Sequence, residues 1–368
     1  MANRKNQHFV PQYYFRYFSK GQSSINVLLK DSGKIIENAP IKGQCSKNNF
    51  YGSVEIESLF SKIEGRHSAV LKKIQSINSK KEFIEYATMC DEAPELGLNP
   101  DLLELLQAIM FQKSRTEFEA KKHSEMFGQV IKEVFLKDME LQVNDEILKY
   151  KEFLDISTDL TDTVLMTLEI ATKRTALISD LGIYILKNKT STEFIFSDAP
   201  VVIYNKYYQN VHLRGVLGLQ SPGLMIFYPI TPDTCILLLD EAVYHGASNF
   251  VEITNTHDIA SINKLQLHHS LNAIYFSENV SPKYIRKLWK QQRHSFRTDK
   301  MKVVVASALD HKGNDMGEVM HSYEPQIPYS LNLSFITSEV RGDKDYDNSY
   351  RNPELIAEVE KEIKPSQQ

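Results

Sequence analysis

The sequence predicts an α+β fold, an antiparallel sheet core carrying a long all-helical insertion. Three observations predict it. From Val54 to Ile178 apolar residues recur at helical spacing with little interruption. From Gly182 to Leu239 the chain breaks into short β-rich runs separated by Pro, Asp or Asn, as antiparallel sheets do. The N-terminal stretch Gln7-His8-Phe9-Val10-Pro11-Gln12-Tyr13-Tyr14-Phe15-Arg16-Tyr17-Phe18 sets four polar groups among six aromatics and a proline. A segment that apolar is buried, and its polar groups then need partners.

The elements follow in order. Pro11 suits a first helical turn, where a missing N–H costs nothing. A helix is predicted from about Pro11 to Ser19, with Gln12 and Arg16 one turn apart and Tyr13, Tyr14, Tyr17 and Phe18 facing inward. Ser24–Lys30 and Lys34–Glu37 read as a hairpin around Asp31-Ser32-Gly33. Ser53 caps a helix running to about Asn78, on which Glu57 and Glu64 share a face. Asn99-Pro100-Asp101 supplies a cap, a first-turn proline and a first-turn acid for a helix to about Lys122. Gln112 and Arg115 lie one turn apart on it. Further helices are predicted at 124–137, 144–154 and 161–178. Strands are predicted at Gly182–Leu186, Glu193–Phe196, Val201–Tyr204, Leu224–Tyr228 and Thr234–Leu239. Helices at His257–Tyr275 and Pro282–Arg297 come next, then strands at Lys302–Ala306 and Ser330–Phe335. Residues 341–352 and 361–368 read as poorly ordered. The expected organisation is one α+β unit: an N-terminal helix and hairpin (1–53) packed on the core, a helical region (54–178), a sheet core with two helices (179–309) and a polar extension (310–368).

Composition narrows the function. The net charge of -4 predicts no global attraction to polyanions, so any basic function is local. Cys45, Cys90 and Cys235 are widely spaced and read as free thiols of a reducing compartment. No stretch is apolar enough for a signal peptide or a membrane span, and the expected location is cytoplasmic, without a membrane partner. No Walker, Rossmann or nucleophile-elbow pattern occurs. His268-His269 shares a helix with His257, but adjacent histidines are expected to point to different faces, and no HExxH pattern accompanies them.

Several motifs together resemble the bacterial and fungal domain of unknown function 4238. His8-Phe9-Val10-Pro11-Gln12-Tyr13-Tyr14-Phe15-Arg16-Tyr17-Phe18 is similar to that family's opening motif, with Phe15 in place of its usual leucine. Glu57 or Glu64 is similar to its helical glutamate, and Gln112-Lys113-Ser114-Arg115-Thr116 to its Q-x-x-R-[TS] helix. Ser197-Asp198-Ala199-Pro200-Val201 resembles its S-D-N-P-V strand end, with Ala199 where an asparagine is usual. Pro229-Ile230-Thr231-Pro232 and Asn263 resemble two later positions. The resemblance covers about residues 7–277 and implies no established activity.

Two constellations carry the functional expectation. The first is His8, Gln12, Arg16, Glu64, Gln112, Arg115 and Asp198. A phosphodiester hydrolase needs acid–base groups and cations for developing charge. His8, Asp198 and Glu64 would serve as the catalytic groups. Gln12, Arg16, Gln112 and Arg115 would bind substrate, the arginines as phosphate clamps. The alternative is a structural polar network that docks the N-terminal segment. The second is a basic helix, 283–297, with Lys283, Arg286, Lys287, Lys290, Arg293 and Arg297 on one face and Ile285, Leu288, Trp289 and Phe296 on the packed side. It is a candidate contact for a phosphate backbone, or else a solvated helix neutralised by acidic neighbours such as the Glu-rich C-terminus. The expectation is a nucleic-acid-processing hydrolase, nuclease-like, with a divalent metal such as Mg²⁺ as the cofactor such chemistry would use. The resemblance adds an antiviral or toxin-type effector role. The competing expectation is a non-enzymatic sensor or interaction module.

Overall fold

Pro11 holds its φ at -66° and brings no N–H to leave unpaired, so a short helix starts directly behind it. In the computed structural model, which describes residues 6–19, 21–88, 99–141, 159–211, 215–296, 301–309 and 314–363, a strand β1 (Asn6–His8) leads into that helix, α1 (Gln12–Tyr17). The predicted hairpin follows as β2 (Ser24–Leu29) and β3 (Ile35–Pro40). A strand β4 (Ser46–Asn48), unforeseen in the sequence, pairs antiparallel with β1.

The helical region holds α2 (Val54–Ser76), α3 (Lys80–Thr88), α4 (Pro100–Ser114), α5 (Glu117–Leu141) and α6 (Leu160–Arg174), the last ending in a 3₁₀ turn at 175–178. Ser53 and Asn99 cap α2 and α4 as predicted, accepting from the Ile56 and Asp101 main-chain N–H groups. The break expected between the helix ending near Lys122 and the one at 124–137 falls earlier, at Arg115–Thr116. Arg115 closes α4, and the Thr116 hydroxyl reopens the chain as α5 by accepting from the Glu119 N–H at 3.3 Å. Thr116-Glu117-Phe118-Glu119 is a T-x-x-E start signal inside an otherwise continuous apolar pattern. The helix predicted at 144–154 lies outside the described residues.

The remaining elements are β5 (Gly182–Asn188), β6 (Phe196–Ser197), β7 (Val202–Asn205), β8 (Leu224–Thr231), β9 (Thr234–Leu239), β10 (Phe250–Ile253), α7 (Thr256–His269), β11 (Ala273–Phe276), α8 (Pro282–Gln292), β12 (Lys302–Leu309), β13 (Asp315–Tyr323) and α9 (Pro353–Ile363). They make not one sheet but two larger ones and a ribbon. The five-stranded sheet runs β10-β5-β9-β8-β7, antiparallel except for the parallel β10–β5 pair. The four-stranded sheet runs β3-β2-β11-β6, so the N-terminal hairpin pairs with a strand more than 200 residues later in the chain. β12 and β13 form a ribbon against α5.

Both faces of the five-stranded sheet are buried. Ile226, Tyr228, Ile236 and Leu238 face one core, and Met225, Phe227, Leu237 and Leu239 the other. This is why β8 and β9 read as unbroken apolar runs rather than alternating ones. α1 wedges where the two large sheets meet. Tyr14 stacks parallel on Tyr228 of β8 at 5.3 Å, and Phe15 meets Tyr275 of β11 edge-on at 4.8 Å. The buried set on α1 and its end is therefore Tyr14, Phe15 and Phe18, with Tyr13 and Tyr17 half-buried.

Three further expectations are corrected. The helix predicted to reach Tyr275 stops at His269, because residues 273–276 are needed as a central strand between β2 and β6. The strand expected at Ser330–Phe335 is irregular: Leu331 and Leu333 are buried, but the segment has no ladder partner, and Asp258 holds its Ser334 main-chain N–H at 2.9 Å. Residues 341–352 are strapped down despite their polarity. The buried Arg351 guanidinium binds Asp180 at 2.7 and 2.8 Å and donates to the carbonyls of Leu177, Leu219 and Ser221.

Candidate functional site

The N-terminal motif and the Gln112-x-x-Arg115 motif meet. α4 delivers both side chains to the main chain of the N-terminal strand. Gln112 donates to the Phe9 carbonyl at 3.1 Å, and the Arg115 guanidinium to the His8 carbonyl at 2.6 Å. Arg115 also donates to the Tyr51 hydroxyl at 3.0 Å and pairs with Glu64 at 2.6 Å. Its guanidinium lies 5.0–5.6 Å from the ring centres of Tyr51, Phe60 and Phe111. Arg115 is only 1% exposed. Burial opposes its charge, but Tyr51 and Glu64 outweigh burial and hold its pKa above the ordinary value. Gln7 continues the clasp, accepting from the Tyr51 N–H at 2.6 Å.

His8, Gln12 and Arg16 form an outer row. The His8 imidazole meets the Lys42 carbonyl at 3.0 Å and the Gln12 amide at 3.3 Å, and exposed Arg16 donates to Gln12 at 3.3 Å. The structure thus joins His8, Gln12, Glu64, Gln112 and Arg115, largely through main-chain bonds. Asp198 belongs to a different set. Its carboxylate accepts from the N–H groups of Leu271, Asn272 and Ala273 at 2.8, 2.6 and 3.2 Å, fixing the turn from α7 into β11. Burial raises its pKa to about 6, with those N–H groups and Lys30 opposing. Asn263 and Gln266 on α7 hold the same segment, accepting from the Ile195 and Ser197 N–H groups at 3.1 and 3.0 Å. Among the described residues no three His, Cys, Asp or Glu side chains are gathered to hold a metal ion.

An ionic cluster that the sequence reading did not single out lies at the start of α5. Glu119 binds Lys113 at 2.7 Å and Lys122 at 2.6 Å, and Lys122 also binds Glu324 at 2.7 Å. Glu119, buried, is held well below the usual carboxylate range because the two ammonium groups outweigh its desolvation. Glu119→Gln is expected to lower unfolding free energy by about 3 kcal/mol, since two buried ammonium groups then share one carboxylate. Urea unfolding at pH 7 checks this, and an unchanged midpoint would remove the cluster from the stabilising contacts.

α8 carries the basic face predicted for it. Ile285, Leu288 and Trp289 are buried, while Lys283, Arg286, Lys287 and Lys290 are exposed and line one shallow cleft with Gln291. No carboxylate pairs with these four among the described residues, and α9, the Glu-rich C-terminal helix, packs instead on the turn at 175–178. Arg293 is exposed with its guanidinium over the Trp289 ring at 5.1 Å. Arg297 lies outside the described residues. The helix is pinned by its tryptophan, whose indole N–H donates to the Lys30 carbonyl at 2.6 Å. Gly33 sits against that ring at φ +67°, where a Cβ would come within 2.8 Å of it.

Beside the C-terminal end of α8 opens a cavity of about 570 Å³. Its walls come from the turn after α7, the end of α8, Phe118 of α5 and the segment 324–328. His268 and His269 both line it, contrary to the expectation that adjacent histidines diverge, because α7 ends there and the chain turns at Ser270. Burial holds the His269 pKa down at about 4, so its imidazole is neutral. Its signal in the sequence was the His268-His269 pair, but its partners in the wall, Phe118 and Glu324, stand far away in the chain.

No helix among the described residues is long and apolar enough to cross a membrane. No curated protein and no solved structure matches the chain. The family model described as Protein of unknown function (DUF4238) matches residues 6–279, and its span takes in the N-terminal motif, Gln112-x-x-Arg115 and the Asp198 turn: the chain belongs to that family.

Proposed function

We propose that this protein binds nucleic acid through the phosphate backbone, with α8 as the contact surface. One observation carries the reading. In a chain of net charge -4, four exposed cations sit on one helix face with no acidic partner among the described residues. Unpaired cations on an open face gain from displacing the counterions of a polyanion. The four contacts would give log K against log salt a slope of about -3 on a single strand. Fluorescence anisotropy with a labelled oligonucleotide tests it. The double variant Lys283→Glu/Lys287→Glu is expected to weaken binding at least about tenfold and to flatten that slope. Binding indifferent to both salt and charge reversal would dismiss the α8 surface.

Phosphodiester hydrolysis by His8, Glu64 and Asp198 is the second reading. The partly exposed row His8–Gln12–Arg16 favours it, since those groups flank Glu64 and Arg115 through one strand. Against it stand the main-chain bonds that occupy Arg115, Gln112 and Asp198, which suit the interaction-module reading. Wild type, His8→Ala and Asp198→Ala, each confirmed as folded, are incubated with labelled RNA and DNA. Cleavage by wild type that both variants lose supports the hydrolase; equal cleavage by all three removes these residues from catalysis.

A further inference from the structure

The α8 face leads directly to the cavity at its C-terminal end. Lys283 and Arg293 are ten residues apart, about 15 Å along the helix axis, and Arg293 stands at the cavity's edge. A polyanion lying on Lys283, Lys287 and Lys290 is therefore carried to that opening.

The lining is unlike a phosphate site. Phe118, Trp289 and Phe296 supply flat apolar surface, and the Phe118 ring packs against His269 with centroids 4.3 Å apart. His269 is 5% exposed, and its imidazole makes no hydrogen bond with any described residue. A neutral imidazole offers one donor and one acceptor. Glu324, tied to Lys122 through one oxygen, adds a second acceptor in the same wall. Flat aromatic walls, a paired donor and acceptor, and a cationic mouth are the requirements of a heteroaromatic ring bearing a phosphate. The volume lies within the range of small-molecule sites and admits one nucleoside.

We propose that this cavity receives one unstacked base of a single-stranded nucleic acid whose phosphates lie on α8. This deepens the binding function proposed above and rests on it. A base inside an intact duplex is paired and stacked and cannot enter, so the substrate class is single-stranded or locally opened nucleic acid. Stacking supplies affinity that tolerates any base, because every base has a π-face.

The test uses the full chain and anisotropy with three labelled 12-mers at one salt concentration: a single strand, the same sequence as a duplex, and a strand with abasic sugars throughout. The single strand is expected to bind about tenfold or more tightly than the other two, the size of one base–aromatic stack. Phe296→Ala is expected to remove most of that advantage and leave abasic binding unchanged. Leu271→Trp, which fills the cavity from its turn, is expected to do the same, so the inference does not hang on one variant's folding. Equal affinity for all three 12-mers, with salt dependence retained, overturns the cavity inference and leaves the α8 reading standing. Binding that lacks salt dependence overturns the α8 reading and the inference with it.

Discussion

Arg115→Ala is expected to destabilise the fold by about 4 kcal/mol, because one partner of a buried ion pair and hydrogen-bond set is removed while the others stay. The loss takes the close donor from the His8 carbonyl, leaving it the Tyr51 hydroxyl at 3.4 Å, removes the cation from Glu64, and opens a cavity among Tyr51, Phe60 and Phe111. Arg115→Lys is expected to recover less than half of it, since one ammonium cannot reproduce a planar fork aimed at three acceptors. Equilibrium denaturation of wild type and both variants measures the difference. A melt within error of wild type for Arg115→Ala would show that the clasp does not hold the N-terminal segment.

Acid is expected to unfold this protein early, through two histidines. Burial, with Arg115 and Arg66 adding to it at the first, holds His67 and His269 at about 4. Between pH 6.5 and 4 the unfolded chain takes up protons at both positions and the fold refuses them. Stability is complete above 6.5 and falls as pH drops through that window, by about 3 kcal/mol for each histidine. Asp198 works in the opposite sense. Its pKa is raised to about 6, so between 6 and the ordinary carboxylate value the fold binds a proton first and regains about 2 kcal/mol. The net loss by pH 4 is about 4 kcal/mol. Below that, Glu117, Glu119 and Glu324, all held under the usual carboxylate range, add to the loss. Urea midpoints at pH 7, 6, 5 and 4 give the curve. His269→Gln, which cannot titrate, is expected to reduce the loss by pH 4 from about 4 to about 1 kcal/mol; an unaltered slope would assign the acid sensitivity elsewhere.

What the sequence made legible depended on how local the deciding interaction was. Ser53, Asn99 and Pro11 act on the next turn of chain, and the starts of α2, α4 and α1 follow from them. The end of α7 was not legible: Ala273–Phe276 keeps a helical pattern until β2 and β6 claim it from both sides. β13 escaped notice because eight of its nine residues are at least partly exposed, so no alternation marks it. For the site, the aromatic N-terminal segment showed that its polar groups needed partners, and Gln112 and Arg115 are among them. The sequence could not show that these residues grip carbonyl groups of the main chain, since a carbonyl leaves no letter. Phe118, His269 and Glu324 stand up to 206 residues apart, and only the finished fold puts them in one wall.

The wedge formed by α1 has a consequence for the order of folding. Tyr14 donates its hydroxyl to the Pro229 carbonyl, and Asn26 of β2 reaches the Ser277 carbonyl across 251 residues of chain. During synthesis Tyr14 and Asn26 therefore wait for chain 215 and 251 residues further on before their partners exist. Until then Tyr14, Phe15 and Phe18 are an exposed aromatic surface on an emerging chain, and closing such distant contacts is slow. Refolding from denaturant is therefore expected to lose protein to aggregation in proportion to its concentration.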